Sequence, residues 1–216
     1  MTGSLIVNNL AGLLIVTSLL VIAAKRPATS AWLYALQSLV LVLIFLTLAN
    51  TLQAQQLYLW AISAFATKVV LVPLIMFRAF RKLDDPRADG GIISPPLLIL
   101  AAAAIIVLCY FIVGPVRLPM VAELKPALAV SLGHFLIGLL CIVTQRNILK
   151  QAFGYCLMEN GAHLTLALLA NRAPELVEVG IATDAIFAVI VMAVLARKIF
   201  YTLNTLDVKQ LTALKG

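Results

Sequence analysis

Runs of about 20 mainly apolar residues recur along most of this 216-residue chain, and each is long enough to cross a hydrocarbon core roughly 30 Å thick as a helix. Seven stretches qualify, at about 5–24, 31–49, 57–77, 93–113, 127–144, 152–170 and 179–196. Inside lipid an unpaired backbone polar group costs several kcal/mol, so a helix that satisfies its own backbone is the expected element. With 63% hydrophobic and only 12% charged residues, the chain has too little polar surface to coat a water-soluble globule. The pattern predicts an all-α membrane protein of about seven transmembrane helices.

The loops test that division, because cytoplasmic loops collect Lys and Arg. With the N-terminus outside, the inner loops and tail hold Lys25, Arg26, Arg78, Arg81, Lys82, Arg87, Arg146, Lys150, Arg197, Lys198, Lys209 and Lys215, twelve of the sixteen basic residues. The outer loops keep Arg117, Lys125 and Arg172, while Lys68 lies within the third span. Removing one helix would scramble this segregation, so the C-terminus is expected in the cytoplasm. A net charge of +7 is also seen in nucleic-acid binders, but the basic residues gather at helix ends, where anionic inner-leaflet lipid is the natural counterpart. No nucleic-acid partner is expected. Met1 to Val7 carries no basic residue and the first positive pair follows the apolar run, so the first span reads as a retained helix rather than a cleaved leader.

Cys109, Cys141 and Cys156 all fall inside apolar spans without pairing or metal-ligand spacing and read as small apolar residues. Phosphate-binding, dinucleotide-binding, serine-hydrolase and zinc-hydrolase motifs are missing. The chain is expected to have no cofactor, no metal and no catalytic centre of its own.

An internal repeat is the expected source of this many helices. Gly12-Leu13-Leu14-Ile15-Val16-Thr17 resembles Gly138 to Thr144, and Tyr34, Leu36 and Leu48-Ala49-Asn50 return as Tyr155, Leu157 and Leu169-Ala170-Asn171. After a shorter outer loop, Ala66-Thr67-Lys68 matches Ala182-Thr183-Asp184, and Arg81-Lys82 matches Arg197-Lys198. This predicts a three-helix parallel repeat of helices 1 to 3 and 5 to 7. Its units are residues 1–83 and 127–200, with 84–126 supplying an inner loop and a linking fourth helix, and 201–216 a cytoplasmic tail. Lys68 and Asp184 each precede their basic pair by 13 residues, about 20 Å of helix, so opposite charges occupy equivalent depths.

A charged residue deep in a span costs about 2.5 to 3.5 kcal/mol on insertion scales, so Lys68, Glu159 and Asp184 need partners, water or neutralising protons. Glu159 sits near the centre of the sixth span. His163 follows at i+4 on the same face, and His134 lies midway along the fifth. A carboxylate, an imidazole and a second carboxylate on neighbouring helices can exchange protons, which makes Glu159, Asp184, His163, Lys68 and His134 the candidate proton-transfer residues. The competing reading is structural: Lys68 as partner of a carboxylate, His134 as a hydrogen-bonding contact to a neighbouring helix, and His163 paired with Glu159. Glu175 and Glu178 read as solvated outer-loop acids. Pro73 is expected to free a carbonyl and kink the third helix, and Gly154, Gly161 and Gly180 to allow close helix packing. Asp84, Asp85 and Pro86 lie in a polar inner loop suited to a cytoplasmic partner.

The segment Gln145-Arg146-Asn147, then Gly154-Tyr155-Cys156-Leu157-Met158-Glu159-Asn160-Gly161-Ala162, then Ile181-Ala182-Thr183-Asp184-Ala185-Ile186 resembles the three-helix K subunit of respiratory complex I and the C subunit of multisubunit sodium/proton antiporters. The family's first glutamate falls on Cys156, so Glu159, one turn later, would replace its charge, while Asp184 matches the second acid. With its additional N-terminal helices the whole chain looks like a membrane subunit of bacterial formate hydrogenlyase. The resemblance implies a non-redox, multi-pass subunit in the bacterial inner membrane, contributing to lateral proton transfer. The partners it implies are antiporter-like subunits, a nickel-iron hydrogenase and iron-sulfur proteins. A structural anchor of the same complex and a subunit of a cation/proton antiporter are the alternatives.

Overall fold

A computed structural model describes residues 2–81, 83, 91–116 and 119–211, with the side chains of residues 2, 119–121 and 175 not described. Helices α1 (Thr2–Ala23) and α2 (Pro27–Leu52) are followed by a continuous rod of α3 (Gln56–Ala64), a π-helical segment (Phe65–Leu71) and α4 (Val72–Phe80). Then come α5 (Pro95–Val113), a 3-10 turn (Pro119–Leu124), α6 (Lys125–Thr144), α7 (Ile148–Leu169), α8 (Glu175–Leu203) and the short α9 (Val208–Leu211). No strand occurs among the described residues. Lys82, Asp84, Asp85, Pro86, Arg87, Arg117 and Lys215 lie outside them.

Local signals account for the boundaries. Pro27 and Pro95 open α2 and α5 at the first helical position, where a missing N–H costs nothing. Asn147 caps α7 by accepting the Leu149 N–H at 2.9 Å. Gln53 and Asn204 take left-handed conformations, both with φ 51°, and end α2 and α8. Pro73 deprives the ladder of a donor, and the register slips directly ahead of it: the Val72 N–H reaches Thr67 O, a five-residue step.

Among the described residues, six helical segments are long and apolar enough to cross a bilayer: Gly3–Ala23, Pro27–Leu52, Gln56–Phe80, Pro95–Val113, Ala122–Thr144 and Leu176–Leu203. At 22 residues, or about 33 Å, α7 matches them in length but carries Lys150, Glu159, Asn160 and His163. Packing against α2, α6 and α8 encloses those polar groups. The seventh span, expected at 179–196, is the 29-residue helix Glu175–Leu203, which begins among the acids assigned to an outer loop and also runs on beyond the expected end.

Glycine brings α6 and α7 into backbone contact. A Cβ added at Gly138 would lie 2.3 Å from Met158 N, and one at Gly161 2.4 Å from Phe135 N. Gly154 faces Gly138 O at 2.9 Å in the same sense. Gly180 has open space instead, so the packing expected of it does not occur within this chain.

At the basic end, the chain after α8 folds back over the loop before α7. Ile148 N–H donates to Leu206 O at 3.1 Å and Val208 N–H to Arg146 O at 3.0 Å, while Arg146 forms an ion pair with the buried Asp207. Arg146's hydrogen bond holds the Asp207 carboxyl below the ordinary carboxylate range, helped by the Lys209 N–H. Residues Thr205 to Asp207 are therefore buried, where a free tail was expected. Lys150, expected in a basic loop, is 4% exposed and donates to Val21 O, Ile22 O and Ala24 O at the end of α1. A cation there also complements the helix dipole.

Two apolar clusters fill the bundle. One, at the end away from the basic loops, contains Val7, Leu14, Phe45, Leu48, Trp60, Val130 and Leu164; the other, toward the basic end, contains Val21, Tyr34, Val72, Met76, Ile137, Phe153 and Leu157. In five helical rods the chain crosses from one cluster to the other through a polar residue: Ser18, Gln37 with Ser38, Lys68, His134, and Glu159 with Asn160.

A polar layer at mid-depth as the candidate functional site

These polar residues meet in two groups. In the first, Ser18 Oγ lies 3.0 Å from His134 Nδ1 and Gln37 Nε2 lies 3.1 Å from His134 Nε2. Gln37 Oε1 accepts from Asn160 Nδ2 at 2.8 Å, so its amide nitrogen faces the imidazole as a donor. His134 Nε2 must then accept, leaving the proton on Nδ1 as in a neutral ring, while the Ser18 hydroxyl donates onward to Leu14 O at 2.6 Å. The histidine is fully buried with both nitrogens partnered. The sequence pointed to His134 both as a proton carrier and as an interhelical contact; its geometry is that of the contact.

The second group runs along one stripe of α7, where Tyr155, Glu159 and His163 stand at successive four-residue steps. Lys68 Nζ contacts Glu159 Oε1 at 2.6 Å, with the lysine side chain 1% exposed and the glutamate 12%. Their opposite charges offset a desolvation cost that neither could bear alone. Toward the basic end, Tyr155 donates its hydroxyl to Asp184 Oδ2 at 3.2 Å. Asp184 is exposed on the outer face of α8, one turn from the exposed Phe187.

Toward the other end, His163 Nε2 lies 2.8 Å from Glu178 Oε2, with both side chains buried. Glu178 is thus not the solvated acid expected from the sequence. α8 starts early enough to turn it inward, and the adjacent Leu176, Val177 and Val179 were the available signal that 175–178 was helical. His163 likewise pairs with this acid rather than with Glu159. Its ring packs against Phe45 and Trp60, with centroids at 4.7 and 5.3 Å. Of the expected site residues, then, Lys68 and Glu159 meet directly and His163 stands one turn away. Asp184 joins through Tyr155, and His134 belongs to the separate network. Tyr155, Glu178, Gln37 and Ser18 were missed, Tyr155 despite sharing the stripe spacing of Glu159 and His163.

The architecture is that of a multi-pass, all-helical membrane protein with an ion pair enclosed at mid-depth. A family model for NADH-ubiquinone/plastoquinone oxidoreductase chain 4L matches residues 126–216, which covers α6 to α9. Over its full length the chain is 64% identical to hydrogenase-4 component E of Escherichia coli strain K12 and to the protein of that name in Shigella flexneri, covering 100% of each. An uncharacterised protein of Mycobacterium tuberculosis is 25% identical across 98% of the chain and 97% of its own length. No solved structure matches the chain. The chain belongs to the hydrogenase-4 component E family.

Proposed function

We propose that this chain is a non-redox membrane subunit of a hydrogenase complex that passes protons between its buried Glu159 and a neighbouring antiporter-like subunit. The observation that carries this reading is the placement of two acids. Glu159 is held against Lys68 at mid-depth, and Asp184, linked to the same α7 stripe by Tyr155, opens onto the outer face of α8. A proton arriving at Glu159 neutralises it and loosens Lys68; one leaving by Asp184 requires a protein partner there, because a carboxylate facing hydrocarbon is expensive. The nickel-iron and iron-sulfur chemistry belongs to partner subunits. The positive-inside asymmetry supports a cytoplasmic basic end.

The same reading treats the chain as two three-helix copies. In its support, α1 packs on α6, α2 on α7, and the α3–α4 rod on α8, so each helix touches its proposed equivalent.

A specific observation favours a second reading: the short Lys68–Glu159 contact also suits a fixed lock for assembly. Replacing Glu159 by Gln and Asp184 by Asn in the membrane complex separates the two. Proton transfer predicts that whatever complex still assembles has lost proton uptake by vesicles, scored per assembled complex, during hydrogen turnover. Normal proton uptake in the double variant sinks it.

A further inference from the structure

One buried titratable cluster is not used by the lateral route. His163 and Glu178 form a hydrogen-bonded pair under Trp60 and Phe45, near the end of the bundle away from the basic loops. The imidazole is 1% exposed, Trp60 1% and Glu178 5%. Two of its polar atoms, His163 Nδ1 and Trp60 Nε1, are buried without a hydrogen-bond partner among the described residues. They belong to touching rings. Orphaned buried donors are rare in a packed core, and a water with polar neighbours is the usual way such groups are satisfied. The unused Nδ1 sits on the same α7 stripe as Glu159, one turn or about 6 Å away.

We propose that His163, Glu178 and Trp60 form a water-binding proton-exchange site that connects Glu159 to the aqueous phase at the end of the bundle opposite the basic loops. Glu178, in the first turn of α8, holds a proton taken from water in its 2.8 Å hydrogen bond to His163 Nε2 and passes it to that nitrogen. The Nδ1 proton then leaves through the bound water to the Glu159 carboxylate. One proton enters and one departs, and the imidazole is neutral before and after with its tautomer exchanged. Trp60 Nε1–H holds the water without competing for the proton, since an indole donates only. The charged groups facing this site are Glu178 from α8, Glu159 from α7 and Lys68 from the π-helical segment; the facing residues of α2 and α3, Phe45 and Trp60, are uncharged. The inference deepens the proposed function, giving the buried acid a supply along the membrane normal besides its lateral outlet.

The chain has two histidines, and the fully partnered His134 is an internal control. Full-length protein labelled with nitrogen-15 histidine, reconstituted in bilayers and placed in deuterated water, gives one exchange rate for each ring by solid-state NMR. The expected result is His163 exchanging at least about tenfold faster than His134, with Glu178→Gln abolishing the difference, Trp60→Phe reducing it and Glu178→Asp restoring most of it. An unchanged His134 signal reports that each variant is folded. Equal protection of the two rings in the native protein, or fast His163 exchange that persists in Glu178→Gln, overturns the proposal. Failure of the lateral reading shows separately, as proton uptake by vesicles that survives Glu159→Gln.

Discussion

Replacing Glu159 by Gln leaves Lys68 as a cation that is 1% exposed with its carboxylate gone. Removing one partner of a buried pair costs about 3–5 kcal/mol, because the remaining charge keeps its desolvation penalty without its Coulombic gain. Three kcal/mol alone lowers the folded-to-unfolded ratio by about two orders of magnitude. Lys68→Met should cost less than this upper range, since Glu159 is 12% exposed on its side chain and is neutralised by taking up a proton. The double variant Lys68→Met, Glu159→Gln should recover much of the loss, since a neutral pair in an apolar surround is often as stable as the ion pair it replaces. Reversible unfolding of the full chain in detergent, measured for all four members of the cycle, gives a coupling of at least about 1.5 kcal/mol if the contact is energetically real. Additive losses within about 0.5 kcal/mol would refute the reasoning, whatever the distance between the two atoms.

Gly138→Val and Gly161→Val would set a side chain 2.3–2.4 Å from backbone atoms of the facing helix, so both should separate α6 from α7 and lower detergent stability by more than about 3 kcal/mol; Gly180→Ala, with nothing nearby, should leave it unchanged. Asp184→Asn should cost the isolated chain less than about 1 kcal/mol, as its Tyr155 contact is exposed, yet weaken co-purification with the neighbouring subunit. Asp207 has a folded-state pKa below its ordinary value because of Arg146, so its stabilising contribution is complete above the ordinary carboxylate range and is lost as pH falls through the folded value. Protection of the Ile148 and Val208 amides, corrected for the intrinsic exchange rate at each pH, should fall on acidification, and Asp207→Asn should flatten that dependence.

What the sequence revealed, and what it concealed, follows from how each signal is encoded. Bilayer-length apolar runs mark helices directly, so α1, α2 and α5 lay within a few residues of their expected positions. That Pro73 would disturb its helix was also visible, because proline acts on its own backbone ladder; that the disturbance would take the form of a π-helical segment carrying Lys68 in a continuous rod, not a kink, was not. The start of α8 was missed because Glu178 faces protein rather than lipid, and hydropathy along one chain cannot distinguish a buried glutamate from a solvated one. Glu178 is the clearest case: six residues before Asp184, it is a loop residue or an interior one depending on where α8 starts. Pairings between distant helices were equally hidden. Lys68 with Glu159 and Ser18 with His134 depend on the rotation of each helix, which the apolar stripes of a lipid-embedded bundle encode poorly, since these helices are apolar nearly all round.

The charge at Lys68 then has a physical reason that the proposed repeat makes specific. An acid at that position, as its counterpart Asp184 would supply, would place two carboxylates against each other at Glu159, and one would have to hold a proton permanently. Lysine instead satisfies Glu159 within the chain while leaving it able to accept a proton at the cost of one contact. Asp184 has no such cation among the described residues and faces outward with the Tyr155 hydroxyl as its partner, so a charged partner would have to come from what packs against α8. Inverting one charge between copies thereby turns a symmetric pair of buried acids into a polarised one, closed on the α3 side and open on the α8 side.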